Sequence, residues 1–341
     1  MKKKIALIVD ADNWAYANIA NNLKKNLSNV YDISIIPSLY LEDNIAKVLL
    51  VAKDADLIHF FWRGKMLDFP WHLPDSYIKT LGYSVEKFKK EFFDSKLITT
   101  SVYDHMYLDK DNFINTKQIT KICDMYYVSS NKLLNIYNSL DLPKKPFMSI
   151  TDGINLNEFY PINLERFDDI KNRKIVIGWV GNSAWTDGEI DYKGVNTIIK
   201  PAIKDLQKEG YNIEMYFADR QERMIPHDEM VNYYSKIDLY ICASVAEGTP
   251  NPILESMACG VPIISTDVGI VSEALGEKQK EYILQERSKE CLKQKIKHFI
   301  NNLDTVQDLS KENLNEIRNW DWKHISDMAY TFFEEAFKIK K

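Results

Sequence analysis

Short runs of aliphatic and β-branched residues alternate with longer amphipathic stretches along almost the whole chain. The runs predicted to form strands are 5–10, 31–38, 55–62, 96–104, 122–130, 147–153, 174–181, 212–218, 237–244 and 262–267. Helices are predicted between them, for example at 13–27, 194–209 and 227–235. This alternation favours parallel sheets with helices on both faces, and such sheets bind ligands beyond the carboxyl ends of their strands.

The alternation is interrupted at the polar stretch 154–174, which has no clear period and is interpreted as a linker. The 341 residues are enough for two domains, each with its own core. We therefore predict two Rossmann-like, doubly wound domains, over 1–160 and 161–320, facing a cleft that holds the site. The remaining segment, 321–341, forms an amphipathic helix that is expected to cross back to the first domain.

Composition excludes several classes of protein. The chain is 45% hydrophobic and 27% charged, and its net charge of −5 gives no sign of bulk nucleic-acid binding. The four cysteines are Cys123, Cys242, Cys259 and Cys291. They lack metal-ligand spacing and favour a reducing compartment. No run is long enough for a secretory signal or a membrane span. A cytoplasmic protein is expected, with peripheral contact at the inner face of the cell membrane left open.

The segment 247–260 places two acids around a turn at the end of a predicted buried strand. Asn251 is a favourable N-cap for a helix predicted over Pro252–Cys259, because proline suits a first helical turn. Glu247 then lies in the loop before the helix, and Glu255 lies one turn inside it.

The start of this helix is a predicted anion site, because unsatisfied N–H groups and the helix dipole create a partial positive charge there. The two carboxylates bracket the site about 10 Å apart by helix rise and loop reach. Carboxylates accept hydrogen bonds from sugar hydroxyls. The pattern therefore fits a ligand that joins a sugar, a diphosphate and a ribose. The alternative is that the acids only cap the helix.

The stretch EGTPNPILESMACGVPIISTDVG resembles the E-x7-E signature of the retaining glycosyltransferases of family 4, which have the GT-B fold. The resemblance covers most of the carboxyl half, including IVIGWVGN with YKG, and MIPHDEMVNYYSKIDLYICAS. SITDGINLNEFYP is similar to the family's segment at the end of the first domain, and the amino half is similar only loosely. The predicted fold class is therefore α/β of the GT-B type.

The resemblance implies a role for each matching position. Glu255 would bind the ribose hydroxyls, Glu247 the hydroxyls of the donor sugar, and Lys193 the diphosphate. The alternative for Lys193 is an ordinary surface lysine. The other residues expected to bind the donor, largely through backbone groups, are Gly181, Asn182, Ile225, Gly248, Thr249, Pro250 and Asn251.

Two positions depart from the family pattern. Asn182 stands where the family has a phosphate-binding arginine. Arg220 or Arg223 could replace that arginine, or each could be a solvated surface charge. Residues 103–105 read Tyr-Asp-His where the family has His-Asp, so His105 is the candidate to face the sugar from a shifted position.

The first loop reads DADNWAY, where the family prefers glycines. Its D-x-D resembles a metal-binding motif of other glycosyltransferases, but there the motif follows a later strand. We therefore expect no required metal and no cofactor other than a nucleotide-diphospho-sugar donor. His59, Trp62 and Arg63 end another strand and are expected to face the cleft. The aromatic-rich segment 62–74 would stack on an acceptor sugar, touch a lipid head group, or pack as a lid or loop core.

The predicted reaction transfers a sugar from the nucleotide-diphospho-sugar to a hydroxyl of a glycan or glycolipid acceptor, with retention, in cell-surface polysaccharide synthesis. Glu247, Lys193 and His105 are the predicted catalytic residues. No covalent nucleophile stands out, which favours front-face attack. The alternatives are a catalytically weak pseudo-glycosyltransferase that acts as a binding partner, and a GT-B epimerase or phosphorylase. The oligomeric state is left open.

Overall fold

The computed structural model describes residues 2–12, 14–68, 75–105, 107–187 and 190–339. The chain divides into two compact units, called here unit 1 and unit 2. Unit 1 comprises Met1–Asp152 and Trp322–Lys341, and unit 2 comprises Gly153–Asp321. The sequence placed this boundary eight residues later, within the stretch that it interpreted as a linker.

Both units are built from strands and helices that alternate along the chain. The strands are β1 (Lys4–Val9), β2 (Asp32–Pro37), β3 (Leu57–Phe60), β4 (Leu97–Val102), β5 (Met125–Val128), β6 (Ile175–Gly181), β7 (Thr186–Asp187), β8 (Ile190–Asp191), β9 (Ile213–Asp219), β10 (Leu239–Cys242), β11 (Ile263–Thr266) and β12 (Ile283–Leu284). The helices are α1 (Ala15–Leu27), α2 (Ile45–Val51), α3 (Asp75–Thr80), α4 (Val85–Lys89), α5 (Phe113–Ile122), α6 (Asn131–Ser139), α7 (Lys200–Lys208), α8 (Met230–Tyr234), α9 (Asn251–Ala258), α10 (Val271–Ala274), α11 (Glu277–Lys280), α12 (Lys289–Asn301), α13 (Val306–Glu316) and α14 (Trp322–Phe337).

The sheet of unit 1 is parallel, with the strand order β2-β1-β3-β4-β5. Successive residues of β1 point to opposite faces, as strand geometry requires. Ile5 and Leu7 enter one apolar core, and Ala6 and Ile8 enter the other. Because both faces are buried, the central strands read as continuous hydrophobic runs, which explains why they are easily found in the sequence.

The last helix, α14, belongs to unit 1 although it ends the chain. It packs against α1, and its apolar face is buried in the same core as Ile5 and Leu7. The fully buried residues of that face include Ile325, Ala329, Phe332 and Phe333. The amphipathic period of segment 321–341 is therefore used to cover one side of the first sheet.

The sheet of unit 2 is also parallel and has the order β9-β6-β10-β11-β12. Strands β7 and β8 form a separate two-stranded sheet, and when only the strands of each five-stranded sheet are counted, both have the order 2-1-3-4-5. In this order the first and third strands are neighbours, and the chain direction across the sheet reverses between them. Ligands of doubly wound sheets bind at this reversal, outside the carboxyl ends of the two strands.

The structure corrects two predictions about segments near the boundary. Segment 147–153 is not a strand; only Ser149 forms a bridge, to Val128, before the chain leaves the sheet edge. The predicted linker is not free either, because Ile154, Phe159 and Phe167 are buried in the cores of unit 2. Its apolar residues are too widely spaced to show a period, yet they anchor irregular backbone to the second sheet.

Candidate functional site

Lys193 and Glu247 meet beyond the carboxyl ends of β6 and β10, at the reversal of strand order in unit 2. The ammonium nitrogen Nζ of Lys193 donates to Oε1 of Glu247 at 2.5 Å. Their side chains are 20% and 17% exposed, so the pair is mostly covered but reachable from water. The exposed indole of Trp185 lies against it, with its ring centroid 5.1 Å from Nζ. Two residues predicted to bind different parts of one ligand are thus in direct contact.

The backbone that carries Lys193 is fixed by Asp191. The buried carboxylate of Asp191 accepts hydrogen bonds from the backbone N–H groups of Gly194, Asn196 and Thr197, at 2.8–2.9 Å. These groups begin the helical stretch that leads into α7, so this helix start is already capped. Gly194 has φ +67, and a Cβ there would lie 2.5 Å from the carbonyl oxygen of Ala243 in the neighbouring strand's loop. Glycine is therefore required where the two loops approach.

The loop that carries Glu247 rests on a second glycine, Gly269. Gly269 has φ +52, and a Cβ there would lie only 1.9 Å from the carbonyl oxygen of Gly248. Thr266 Oγ1 donates to the carbonyl oxygen of Ser244 at 2.8 Å, which ties the same loop to β11. The position of Glu247 is therefore set by backbone contacts with the next strand and its loop.

Helix α9 begins beside this loop, and its start differs from that of α7. Asn251 was predicted as the N-cap, but the helix already includes Asn251 and the cap position is Pro250. Proline has no side-chain oxygen, so the cap residue makes no side-chain hydrogen bond to this helix.

The first turn of α9 holds few N–H groups, because Pro250 and Pro252 have none and the N–H of Ile253 donates to the carbonyl oxygen of Pro250 at 2.8 Å. What this start offers an anion is mainly the positive end of the helix dipole. The backbone of Gly248, Thr249 and Pro250 leads into this start.

Glu255 is more deeply buried than the sequence suggested. It is only 8% exposed, and the hydroxyl of Tyr234 donates to its Oε2 at 2.7 Å. Burial raises the pKa of this carboxyl, and the bond from Tyr234 partly opposes the rise. The capping role that the sequence left open for Glu255 is not the contact it makes here.

The other residues predicted to bind the donor lie around the end of β6. Asn182 follows Gly181, and its Oδ1 accepts from the backbone N–H of Ala184 at 3.0 Å and from Gln221 Nε2 at 2.9 Å. Ile225 is half-buried against a core of unit 2, next to the exposed Met224. Asn182 therefore shapes the local turn with its oxygen.

The two arginines considered as replacements for the missing cation have different surroundings. Arg223 lies over the ring of Tyr216, with its guanidinium carbon 4.6 Å from the centroid. Arg220 is exposed, and its backbone N–H donates to the carbonyl oxygen of Gly181. Its backbone is thus fixed beside the end of β6.

In unit 1 the aromatic-rich segment after β3 contains a buried arginine, Arg63. Arg63 is 2% exposed, and its guanidinium donates to Asp104 at 2.5 and 3.3 Å. The rings of Trp62 and Tyr107 lie near it, with centroids 5.6 and 5.2 Å from the guanidinium carbon. Arg63 is therefore part of a packed cluster, which is one of the alternatives that the sequence allowed. Part of this segment, 69–74, lies outside the described residues.

His59 does not face solvent, contrary to the expectation for the end of β3. It is fully buried, its Nδ1 contacts Thr99 Oγ1 at 3.0 Å, and its ring stacks on Tyr127. Burial lowers the pKa of His59 to about 3, so the imidazole is neutral. The sequence erred because the alternation of faces along a fully buried strand gives no sign of exposure.

His105 and Tyr103 occupy the loop after β4. Burial lowers the pKa of His105, with Asp104 opposing the shift, so its imidazole is neutral near pH 7. Tyr103 is joined to Tyr127 through their hydroxyl oxygens, 3.1 Å apart, and burial raises its pKa well above the usual value.

Sequence reasoning missed the residues that support the site: Asp191, Gly269, Trp185 and Tyr234. Asp191 carries a local signal, since an aspartate three residues before a glycine that opens a helix is a typical cap. Gly269 follows the strand motif closely and could have been read as a turn glycine. Tyr234 gives no signal, because its contact with Glu255 spans 21 residues.

In the part of the chain that the structure describes, no group of three histidine, cysteine or acidic side chains is arranged to hold a metal ion. The same residues include no helix with the length and apolarity needed to cross a membrane.

Comparisons with known proteins relate part of the chain to a family. Residues 222–315 match the family described as glycosyl transferases group 1. The protein CapJ of Staphylococcus aureus is 28% identical over 230 residues, which are 57% of this chain and 56% of CapJ. The capsular polysaccharide biosynthesis glycosyltransferase CapM of the same organism is 20% identical over 214 residues, 54% of each chain. The chain thus spans about half the length of these curated relatives.

Similarity in structure extends over the whole chain. The Anabaena protein Alr3699/HepE, solved in complex with UDP and glucose, superposes with a TM-score of 0.68 at 12% identity, covering 98% of this chain and 100% of that one. This likeness shows the fold. The predicted α/β fold class is therefore confirmed: the chain has the GT-B fold, and residues 222–315, which include Glu247 and Glu255, match the glycosyl transferases group 1.

Proposed function

We propose that this protein is a retaining glycosyltransferase that moves a sugar from a nucleotide-diphospho-sugar to a hydroxyl of a glycan or glycolipid. The observation that carries the proposal is the contact between Lys193 and Glu247 beside the uncapped start of α9. A cation, a carboxylate and the positive end of a helix dipole together suit a ligand with an anionic diphosphate and a polyhydroxylated sugar.

In the proposed reaction the acceptor oxygen forms a bond to the anomeric carbon while the bond from that carbon to the diphosphate oxygen breaks. Negative charge develops on the departing diphosphate, where Lys193 and the start of α9 would stabilise it. The acceptor hydroxyl gives its proton to the departing phosphate oxygen on the same face, which leads to retention. Glu247 would orient the transferred sugar, and Glu255 would hold the ribose.

The names of similar proteins support the substrate class. CapM is named for capsular polysaccharide biosynthesis, and the HepE structure contains UDP and glucose. We therefore propose that the acceptor belongs to a cell-surface polysaccharide and that the donor is a nucleotide sugar. We further propose a metal-independent reaction at the inner face of the membrane. The role of His105 rests on the family resemblance.

A panel of UDP-, GDP-, ADP- and dTDP-sugars tests the donor site by thermal shift, because a ligand that binds the folded state raises Tm by mass action. The expected result is a rise with sugars of one nucleotide, and release of that nucleoside diphosphate during turnover. Turnover in EDTA tests metal independence, and NMR of the product anomer tests retention. No shift with any member of the panel would contradict the proposal.

A second candidate is a pseudo-glycosyltransferase that binds the donor and serves an active partner. It is favoured by Asn182, whose oxygen is held by Ala184 and Gln221 where the family has a phosphate-binding arginine. Donor binding without release of nucleoside diphosphate, with or without acceptor, would favour this candidate over an enzyme.

A further inference from the structure

The ion pair between Lys193 and Glu247 joins two groups that the proposed function assigns to different parts of the donor. Lys193 is proposed to bind the diphosphate and Glu247 the sugar, yet in this structure Lys193 Nζ donates to Glu247 Oε1 at 2.5 Å. Both side chains are about four-fifths covered, so the attraction between them is screened less than in an open surface pair. A donor therefore enters a site whose cation is already neutralised.

A diphosphate at the start of α9 would bring further negative charge next to Glu247. Like charges at short range in a poorly solvated site repel strongly, so Glu247 and the diphosphate compete for the ammonium of Lys193. Once Lys193 has turned away, the carboxylate of Glu247 needs other groups to donate hydrogen bonds to it, and the hydroxyls of a sugar can do so.

We propose that the Lys193–Glu247 pair is a built-in competitor that the diphosphate must displace, and that its opening prepares Glu247 to bind the sugar. This inference rests on the proposed function and adds a sequence of events within the same site. The nucleoside diphosphate alone leaves Glu247 without partners, whereas the sugar-bearing donor satisfies it. The pair therefore lowers the affinity for nucleoside diphosphate relative to nucleotide sugar and aids release of the product.

The surroundings restrict the exchange to side chains. Asp191 and Gly194 hold the backbone of one loop, and Gly269 holds the other. Lys193 can therefore turn from one partner to another without movement of the strands that carry the loops. The indole of Trp185, 5.1 Å from the lysine nitrogen, lies where it senses that movement.

Calorimetric titration with UDP, GDP, ADP and dTDP and with the corresponding sugars tests the inference on the full chain. Glu247→Gln keeps the size of the side chain and removes its charge. It is expected to bind the nucleoside diphosphate about five- to tenfold more tightly than the wild type, and to lose preference for the nucleotide sugar. Lys193→Met is expected to weaken both ligands.

Glu214→Gln is the matched control, since Glu214 pairs with Lys174 at 3.2 Å near the opposite end of the sheet. It makes the same change in net charge and should leave both affinities unchanged.

Intrinsic fluorescence tests the inference with Lys193 and Glu247 both intact. Addition of nucleoside diphosphate should change the fluorescence of the wild type, and this change should be missing in Trp185→Phe.

The outcomes separate the two proposals. Equal or weaker binding of nucleoside diphosphate by Glu247→Gln, or a saturating titration without a Trp185 signal, overturns the exchange and leaves the proposed function intact. Failure of every nucleotide to bind the wild type, or undiminished binding by Lys193→Met, overturns the proposed donor site and the exchange with it.

Discussion

The two units share one strand order but differ in how far they bury the cation near the carboxyl ends of their strands. In unit 1 the guanidinium of Arg63 is 2% exposed and lies among aromatic rings, while its partner Asp104 is 29% exposed. In unit 2 the side chain of Lys193 is 20% exposed and contacts Glu247 beside an uncapped helix start. A buried guanidinium stabilises the fold, whereas an ammonium that water reaches is accessible to a ligand.

The largest expected difference between the units is in stability. Arg63→Met should cost about 3 kcal/mol, because it removes a buried guanidinium that makes two hydrogen bonds to Asp104 and packs against the rings of Trp62 and Tyr107. Lys193→Met should cost less than about 1 kcal/mol, because it removes a single ion pair whose ammonium is partly exposed to water. It should lower turnover about 100-fold. Calorimetric unfolding and donor turnover measure the two effects. Equal losses of stability in the two variants would contradict the view that Arg63 stabilises the fold more than Lys193 does.

A smaller effect is expected from the glycine that positions Glu247. Gly269→Ala forces a Cβ against the carbonyl of Gly248 at positive φ, and should cost about 2 kcal/mol and weaken donor binding. Gly210→Ala is the matched control, because Gly210 has φ +93 but nothing within 4 Å of its added Cβ. It should cost about 1 kcal/mol and leave binding unchanged. Equal affinity for the sugar donor in Gly269→Ala and Gly210→Ala would show that Gly269 does not position the loop of Glu247 for binding.

Asp152, at the end of the first segment of unit 1, should make stability depend on pH. Burial raises the pKa of its carboxyl to about 7, and a hydrogen bond from Tyr103 partly opposes this. Between the unfolded pKa near 4 and the folded pKa near 7, the folded state binds more protons, so stability falls as pH rises through that window.

Asp152→Asn should therefore be more stable than the wild type by about 1–2 kcal/mol at pH 8, with a smaller difference at pH 5. Unfolding temperatures of the two proteins from pH 4 to pH 8 measure it. A difference that is constant with pH would show that Asp152 does not titrate in this range.

The smallest expected change in stability is at the buried carboxylate of unit 2. The pKa of Glu255 is raised by burial, so its ionised form disfavours folding above that pKa. Glu255→Gln keeps an acceptor for Tyr234 and should gain less than about 1 kcal/mol at pH 7.5. Donor binding should weaken nonetheless, since the amide is a poorer acceptor for ribose hydroxyls. Unchanged titrations with nucleotide sugar would show that Glu255 supports the fold alone.

The parts of the molecule that could be predicted are those with local causes. The strand, loop and helix from Leu239 to Ala258 were found because the apolar run, the prolines and the closing glycine are neighbours in sequence. The cap was misplaced by one residue, since Pro250 and Asn251 both suit a helix start and only the backbone angles distinguish them.

The parts that could not be predicted depend on contacts between distant residues. Lys193 and Glu247 are 54 residues apart, and no local pattern shows that they pair. His59 looked like a residue at the end of a strand facing solvent, but α14, which lies more than 260 residues later, packs its phenylalanines against that face.

The sequence alone determined that the chain forms doubly wound parallel sheets, and it predicted a ligand site around residues 247–255, because hydrophobic period and helix starts are local properties. Only the tertiary structure decided which charges are sealed and which remain accessible. Exposure depends on what packs against a side chain, and Arg63, His59 and Lys193 each contact a residue that is distant in sequence: Asp104, Phe332 and Glu247 respectively. The same strand order therefore accommodates a buried cation in one unit and a partly exposed cation in the other.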